Sequence, residues 1–191
     1  ALDLAAEDDT GSDGTDNVTK NTTDLTISGL AEIGVTVELF ADANNDGVVD
    51  SGESLGTTTV AGGSFTKDVS LAAGTHQVKA IQTDVAGHVS AASAALNITI
   101  DTTPPAVTVN SLMTNEATPA ITGTVSDGAL EVVVNSKTYT AGDGNLTVNG
   151  TDWTLQIPAG DALGEGTYPV TASSTDMAGN TGTDGTTNEL I

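Results

Sequence analysis

Short runs in which apolar and polar residues alternate recur along the chain. Val35, Val37 and Leu39 alternate with polar neighbours, and so do Val132 and Val134. Trp153, Leu155 and Ile157 repeat with period two, as do Val78 with Ala80 and Val170 with Ala172. That period puts alternate side chains on one face of a β-strand. Turn residues interrupt the runs at "AGG" (61–63), "AAGT" (72–75), "GDGN" (142–145) and "AGN" (178–180). No segment holds a helical period. The pattern predicts an all-β chain.

The pattern also repeats. "AGTHQVKAIQTDVAG" (73–87) matches "GEGTYPVTASSTDMAG" (164–179), with Gly74 and Gly166, and Asp84 and Asp176, both 92 residues apart. Upstream, "TTDLTISGLAEIGVTVELF" (22–40) matches "EATPAITGTVSDGALEVVV" (116–134), which pairs Gly29 with Gly123; Phe65 answers to Trp153. The changing offsets mark loop insertions within one common fold. "IDTTPPAV" (100–107) reads as the boundary, since two prolines cannot sit in a central strand. Residues 1–101 and 102–191 are therefore predicted as two domains. About seven short strands in each suggest tandem Ig-like Greek-key β-sandwiches joined by a short proline-containing linker.

Charge narrows the function. Acids outnumber bases 26 to 4, a formal net charge of -22, and there is no arginine. Nucleic acid is excluded as a partner for want of a basic footprint. An anionic membrane surface is disfavoured in the same way. No apolar run approaches the roughly 18 residues of a membrane span. The chain has no cysteine, so disulfides cannot staple it. A compact fold this acidic repels itself unless cations offset it, and divalent cations are the natural candidates. No signal peptide is visible, and a fragment of a longer, secreted protein, monomeric on its own, is expected.

One stretch gives that cation a place. "DANNDGVVDSGE" (42–53) has Asp42, Asn44 and Asp46 at its first, third and fifth positions. Gly47 is sixth, where a sharp turn needs positive φ. Val48 is seventh and offers a carbonyl, Asp50 is ninth, and Glu53 is twelfth, the usual bidentate ligand. This is the ligand spacing of a calcium loop, with the six to eight oxygens that a hard dication takes. Its flanks "VTVELFA" and "SLGTTTVAG" read as strands, so no helix pair is there to open and close. The bland reading is an acidic hairpin loop that solvates well. The full match favours a structural ion.

"DTTPPAV", "TDMAGN" and "EGTYPVTASSTD" resemble the bacterial Ig-like repeats of large surface adhesins. The resemblance spans nearly the whole chain; His88 stands where the second copy has Asn180. It implies type I-secreted, often RTX-bearing proteins on the bacterial cell surface. Their tandem extender modules hold a ligand-binding tip away from the cell and bind calcium beside neighbouring repeats. It also implies further calcium ligands. Asp101, Asp127 and Asp176 form the expected set for the second domain. Asp84 and Glu32, with Asp9 and Asp16 of the opening segment, form the set for the first. The alternative for each single Asp is a turn residue capping its own backbone. The 42–53 loop is expected near the "DTTPP" linker.

Catalytic groups are scarce. His76 and His88 are the only histidines, and no nucleophile elbow or phosphate loop is present. The sequence reads as a non-enzymatic, calcium-rigidified spacer serving cell adhesion or biofilm formation. The rival readings are a carbohydrate- or protein-binding module and an accessory domain of a secreted hydrolase.

Overall fold

A computed structural model of the chain describes residues 1–187 and 190–191. It divides into two compact units, Ala1–Thr102 with Met177–Gly179, and Thr103–Asp176 with Asn180–Ile191.

The first unit holds β1 (Asp3–Leu4), β2 (Val18–Thr19), β3 (Leu25–Leu30), β4 (Thr36–Ala41), β5 (Ser54–Thr59), β6 (Ser64–Val69), β7 (Gly74–Thr83) and β8 (Leu96–Ile100). One sheet has the order β1-β3-β6 and the other β2-β8-β7-β4-β5. The second unit holds β9 (Val107–Val109), β10 (Ala120–Val125), β11 (Ala129–Val134), β12 (Lys137–Thr140), β13 (Leu146–Asn149), β14 (Asp152–Gln156), β15 (Val170–Thr175) and β16 (Thr181–Thr183). Its sheets run β13-β14-β10-β9 and β12-β11-β15-β16. Each unit is thus two sheets packed face to face, the Ig-like β-sandwich that the alternation predicted. Pairing is antiparallel between the named strands except for β2 and β8, which run parallel.

Each unit has its own core. Leu25, Ile27, Val37, Leu39, Val78 and Ile98 fill the first. Ile121, Val132, Leu146, Trp153 and Leu155 anchor the second. Burial alternates along β10 and β11 as the sequence pattern requires.

The repeated glycine and aromatic residues have a structural reason. Gly29 lies opposite Phe65 across β3 and β6, and Gly123 lies opposite Trp153 across β10 and β14. In both units the missing side chain lets a ring lie over the neighbouring strand. The Trp153 indole N–H donates to the carbonyls of Thr108 (3.1 Å) and Thr124 (3.3 Å), so its polar atom is satisfied although the side chain is buried.

The inserted segment is equally plain. In the second unit β11 and β12 are joined by Asn135 and Ser136 alone, with φ of 50° and 64°. These values suit a two-residue hairpin turn. In the first unit the matching strands, β4 and β5, are joined by residues 42–53. The acidic loop therefore replaces a tight turn and leaves the sandwich intact.

A methyl group at Gly123 would lie 1.9 Å from the Thr108 carbonyl oxygen and 2.5 Å from the Trp153 ring; at Gly29 its nearest contact is the Phe65 ring edge at 2.8 Å. Gly123→Ala is therefore expected to destabilise its unit by about 1–3 kcal/mol, and Gly29→Ala by less. Urea unfolding of the two variants gives the comparison, and equal losses would contradict this account of the glycines.

Candidate metal centre

The loop begins where β4 ends. Ala41 donates its N–H to the Glu53 carbonyl at 2.9 Å, which closes the hairpin around the loop. Asp42 donates its own N–H to the Gln77 carbonyl on β7 at 2.9 Å. The first ligand position is thus pinned to the sheet before the chain leaves it. A register shift between Leu39 and Phe40 bends β4 at this point, and Phe40 is fully buried there, outside the main core.

Inside the loop, carboxylates take backbone N–H groups in the manner the spacing predicts. Asp42 Oδ2 accepts the Gly47 N–H at 2.9 Å, and Asp42 Oδ1 accepts that of Asp46 at 3.2 Å. Gly47 has φ of 76°, the left-handed turn expected at the sixth position. Asp46 Oδ1 accepts the Val48 N–H at 2.8 Å. Glu53 reaches back across the loop, where Oε1 accepts the Ala43 N–H (2.9 Å) and Oε2 that of Asp50 (3.0 Å). The Asn44 amide nitrogen donates to Asp46 Oδ2 at 3.1 Å and to Asp50 Oδ2 at 3.0 Å.

The donor set suits a hard dication. The third, fifth and ninth positions already converge on one point, held by the amide nitrogen of Asn44. Each Glu53 oxygen keeps a second lone pair beyond the N–H it accepts. Among the described residues no three acidic or histidine groups already stand together as a metal cluster. Asn44 would have to turn its amide so that its oxygen faces inward.

The sequence reading missed the cation already in place. Lys79 of β7 donates to Asp42 Oδ2 at 2.8 Å and to Asn45 Oδ1 at 2.7 Å, and both Asp42 and Lys79 are buried. The Lys79 hydrogen bond is the main reason that Asp42 stays below the usual carboxylate range, against the opposing effect of burial. Lys79 binds the oxygen that also takes the Gly47 N–H, so Asp42 Oδ1 is the one left to face the loop's centre. The loop's remaining contacts run to β7, and the Gly47 Cβ position lies 3.5 Å from Ala92. Ala41 pairs with Val78 and Gly74 with Ile100, so the loop leaves the sheet at the end of the first unit where β8 finishes.

The other expected ligands fall into separate groups. Glu32 and Asp84 line one recess with Val35, Gln82 and His88. Asp9 and Asp16 do not join them. β2 pairs with Thr99 and Ile100, which face Thr75 and Gly74, so the opening segment lies alongside β8. Asp84 follows the other end of the ten-residue β7. The set Asp84, Glu32, Asp9 and Asp16 is therefore split by the fold. Its error was to let the opening segment meet the sandwich at the Asp84 end.

In the second unit Ala129 pairs with Thr175, which brings Asp127 and Asp176 to one end. Asp127 is exposed, and its carbonyl accepts the Ser174 hydroxyl at 2.7 Å. Asp101 follows β8 in the first unit, with its N–H on the Thr19 carbonyl at 2.9 Å.

Asp84 and Asp176 each close a five-residue turn. Asp176 Oδ1 accepts the Asn180 N–H (2.8 Å) and Oδ2 its side-chain amide (2.9 Å). Asp84 Oδ1 accepts the His88 N–H at 2.9 Å, and Oδ2 meets the His88 ring nitrogen at 2.9 Å. His88 thus does for the first turn what Asn180 does for the second. The His88 backbone N–H and then its ring hold Asp84 below the usual carboxylate range.

A family profile described as the bacterial Ig-like domain matches residues 1–102 and again 107–190. A comparison with curated proteins gives no match. Among solved structures, the chain is similar to the fibronectin(III)-like modules of Clostridium thermocellum CbhA, at 14% identity and a TM-score of 0.45, over 100% of this chain and 92% of that one. It is also similar to the BSP domain of a biofilm associated protein, at 17% identity and a TM-score of 0.31, over 91% of this chain and 26% of that one. A third is Bacteroides ovatus SGBP-B in complex with a mixed-linkage heptasaccharide, at 16% identity and a TM-score of 0.29, over 92% and 42%. At these scores the three carry no functional argument.

Lys79→Met leaves Asp42 buried and unpaired. The metal-free variant is expected to unfold at lower urea than the unaltered chain at pH 7. Asp42 has a depressed pKa in the fold, so its contribution is present above the ordinary value of 3.8 and is lost as pH falls through the folded one. The difference between the two proteins should therefore close below about pH 4. Equal midpoints at pH 7 would remove the role given to Lys79.

Proposed function

We propose that this chain, which belongs to the bacterial Ig-like domain family, is a pair of calcium-stiffened spacer modules from a bacterial cell-surface adhesin. The observation that carries the reading is the 42–53 loop. It is spliced into a hairpin that the second unit closes with two residues, and it brings the full oxygen-ligand spacing of a calcium loop. An insertion that leaves the sandwich unchanged is suited to adding a property, and the donors present are those of a hard cation.

A bound calcium ion would supply two positive charges and a demand for six to eight oxygens. Asp42 would offer Oδ1, oriented from behind by Lys79 and Gly47. Asn44, Asp46 and Asp50 would turn their oxygens to the same centre, Val48 its carbonyl, and Glu53 both carboxylate oxygens. Asp127 and Asp176, at one end of the second unit, belong to the same proposal, as do Glu32 and Asp84 in the first. Because only the ordered loop presents these groups together, binding adds stability as RT ln(1 + [L]/Kd). Extracellular calcium sites commonly have Kd of about 10⁻⁴ to 10⁻³ M, which millimolar calcium fills. The acid-rich composition and the calcium loop support a place outside the bacterial cell; type I secretion rests on the resemblance of the motifs.

A sugar-binding module would need aromatic faces turned to solvent. Phe40, Phe65, Tyr139 and Trp153 are buried, and only Tyr168 is partly open, which disfavours that reading. No helix among the described residues is long and apolar enough to cross a membrane. The spacer role needs no catalytic group, and we assign none.

Small-angle scattering in millimolar calcium and then in chelator tests the proposal. A shorter, more flexible particle on chelation, with the β-sheet circular dichroism kept, is the expected result. Glu53→Gln should weaken calcium binding measured by calorimetry. An unchanged shape together with no calcium heat would overturn the spacer reading.

A further inference from the structure

The second unit has a recess in its surface, bounded by residues 114–119, 163–168 and 190–191, with a volume of about 550 Å³. Ligand pockets commonly measure about 300–1,000 Å³. Main-chain hydrogen bonds fix its walls. Leu163 donates to the Ala117 carbonyl at 2.7 Å, Tyr168 to that of Leu190 at 2.9 Å, and Thr114 to that of Ile191 at 2.8 Å. Pro119, Leu163 and Leu190 supply apolar wall, and Tyr168, partly buried against the core, supplies a ring. Glu116 and Glu165 also line the recess, and both are exposed.

The repeat shows which of these groups the fold itself requires. In the matched sequences Thr22 stands at the position of Glu116, Ala73 at that of Glu165, and His76 at that of Tyr168. The Tyr168 hydroxyl donates to the Gly164 carbonyl at 3.2 Å, and the His76 ring nitrogen bonds the Ala72 carbonyl at 2.8 Å. The same brace is therefore made in both units, and it needs neither glutamate. What the second copy adds is two carboxylates and a phenol ring at one recess. Lys137, the only lysine of the second unit, is held by Asp161, and no ion pair among the described residues involves Glu116 or Glu165. A recess with uncompensated carboxylates draws cations and repels anions.

We propose that this recess binds an arginine side chain carried on a partner peptide. Arginine answers each part of the lining. Its aliphatic stem suits the apolar wall of Pro119, Leu163 and Leu190. Its flat guanidinium stacks on an aromatic ring such as that of Tyr168. Its five donors suit the carboxylates of Glu116 and Glu165. Lysine has neither the plane nor the fork. A hard metal ion would gain nothing from the ring or the apolar wall, since it takes oxygen ligands alone. The recess is larger than one side chain, so the residues flanking the arginine enter with it. The site lies apart from the 42–53 loop, and it adds a binding function that does not depend on calcium.

Amide NMR spectra of the whole chain test this in calcium-free buffer at about 0.15 M salt, which screens scattered surface charge. The probes are acetyl-Gly-Arg-Gly-amide, the same peptide with neutral citrulline in place of arginine, and free arginine. The arginine peptide is expected to shift the amides of Glu116, Glu165, Tyr168 and Leu190 saturably and to leave the first unit unmoved. The citrulline peptide should bind about tenfold more weakly or worse. Glu116→Thr with Glu165→Ala, which installs the residues of the first copy, should weaken the arginine peptide by about as much, with the urea midpoint kept because both side chains are exposed. Should that double variant not fold, Glu165→Gln gives the same comparison. No shift at millimolar peptide, shifts spread over both units, equal binding of the citrulline peptide, or undiminished binding by the double variant would each overturn the proposal. Free arginine binding as tightly as the peptide would overturn the partner peptide and leave a small-molecule site.

Discussion

Twenty-six carboxylates and four lysines must share two small sandwiches, and the way those carboxylates find hydrogen-bond donors decides much of the surface architecture. Backbone N–H groups in turns are the main answer. Asp8 takes that of Thr26, Asp42 those of Asp46 and Gly47, Asp84 those of Ala86 and His88, and Asp176 that of Asn180. Each bond lets a charged oxygen work as a local brace, which is why aspartates dominate these turns. The exceptions then stand out. The second oxygen of Asp46 shares the Asn44 side-chain amide with Asp50, and the second oxygen of Asp9 has no donor at all. A cation has something to add at the first of these places.

The two units show how such a place can be added cheaply. They share the glycine–aromatic pair, the central pairing of β4 with β7 and of β11 with β15, and the five-residue turn after the long strand. They differ at the edge strands β2 and β13, and in the hairpin that carries the acidic loop. Lengthening a surface loop costs little in closure entropy, because that cost grows only with the logarithm of its length. A loop of twelve residues can therefore stand where two suffice, provided its own hydrogen bonds and its anchor to β7 hold it. Asp42 and Glu53 provide both, one at each end.

Local patterns were readable in the sequence, and long-range pairings were not. Period-two runs around Val37, Val132 and Leu155 gave the strands, and offsets near 90 residues gave the repeat. The calcium-loop spacing was legible because all its ligand positions lie within twelve residues. Lys79 could not be found in this way. It reaches Asp42 only because β4 and β7 pair with Phe40 opposite Lys79, and that register is not written near either residue. The placement of Asp9 and Asp16 failed for a similar reason. A two-residue parallel strand has no periodicity to detect, yet β2 decides where the opening segment lies. The substitution of His88 for Asn180 looked like a departure, but both supply a backbone N–H and a side-chain nitrogen to the same aspartate.

The use of lysine follows from the same scarcity. In the second unit, Lys137 is paired with Asp161, whose other oxygen accepts the Tyr139 hydroxyl at 2.9 Å. Burial, and then Asp161, push that phenol up to about 12, so it remains a donor to the charged Asp161 well into the alkaline range. In the first unit, Lys79 holds Asp42 beneath the loop. Both lysines bind an aspartate distant in sequence, and both leave the short-range acids to the backbone. A mobile surface cation would neutralise the same charge without joining two segments. A lysine that is held in place does both, and for Asp42 it does so from the side away from the loop's centre. The loop's first carboxylate is thus kept ionised and aimed without any metal, so a calcium ion would meet a ligand already oriented and would have to organise only the acids that follow it.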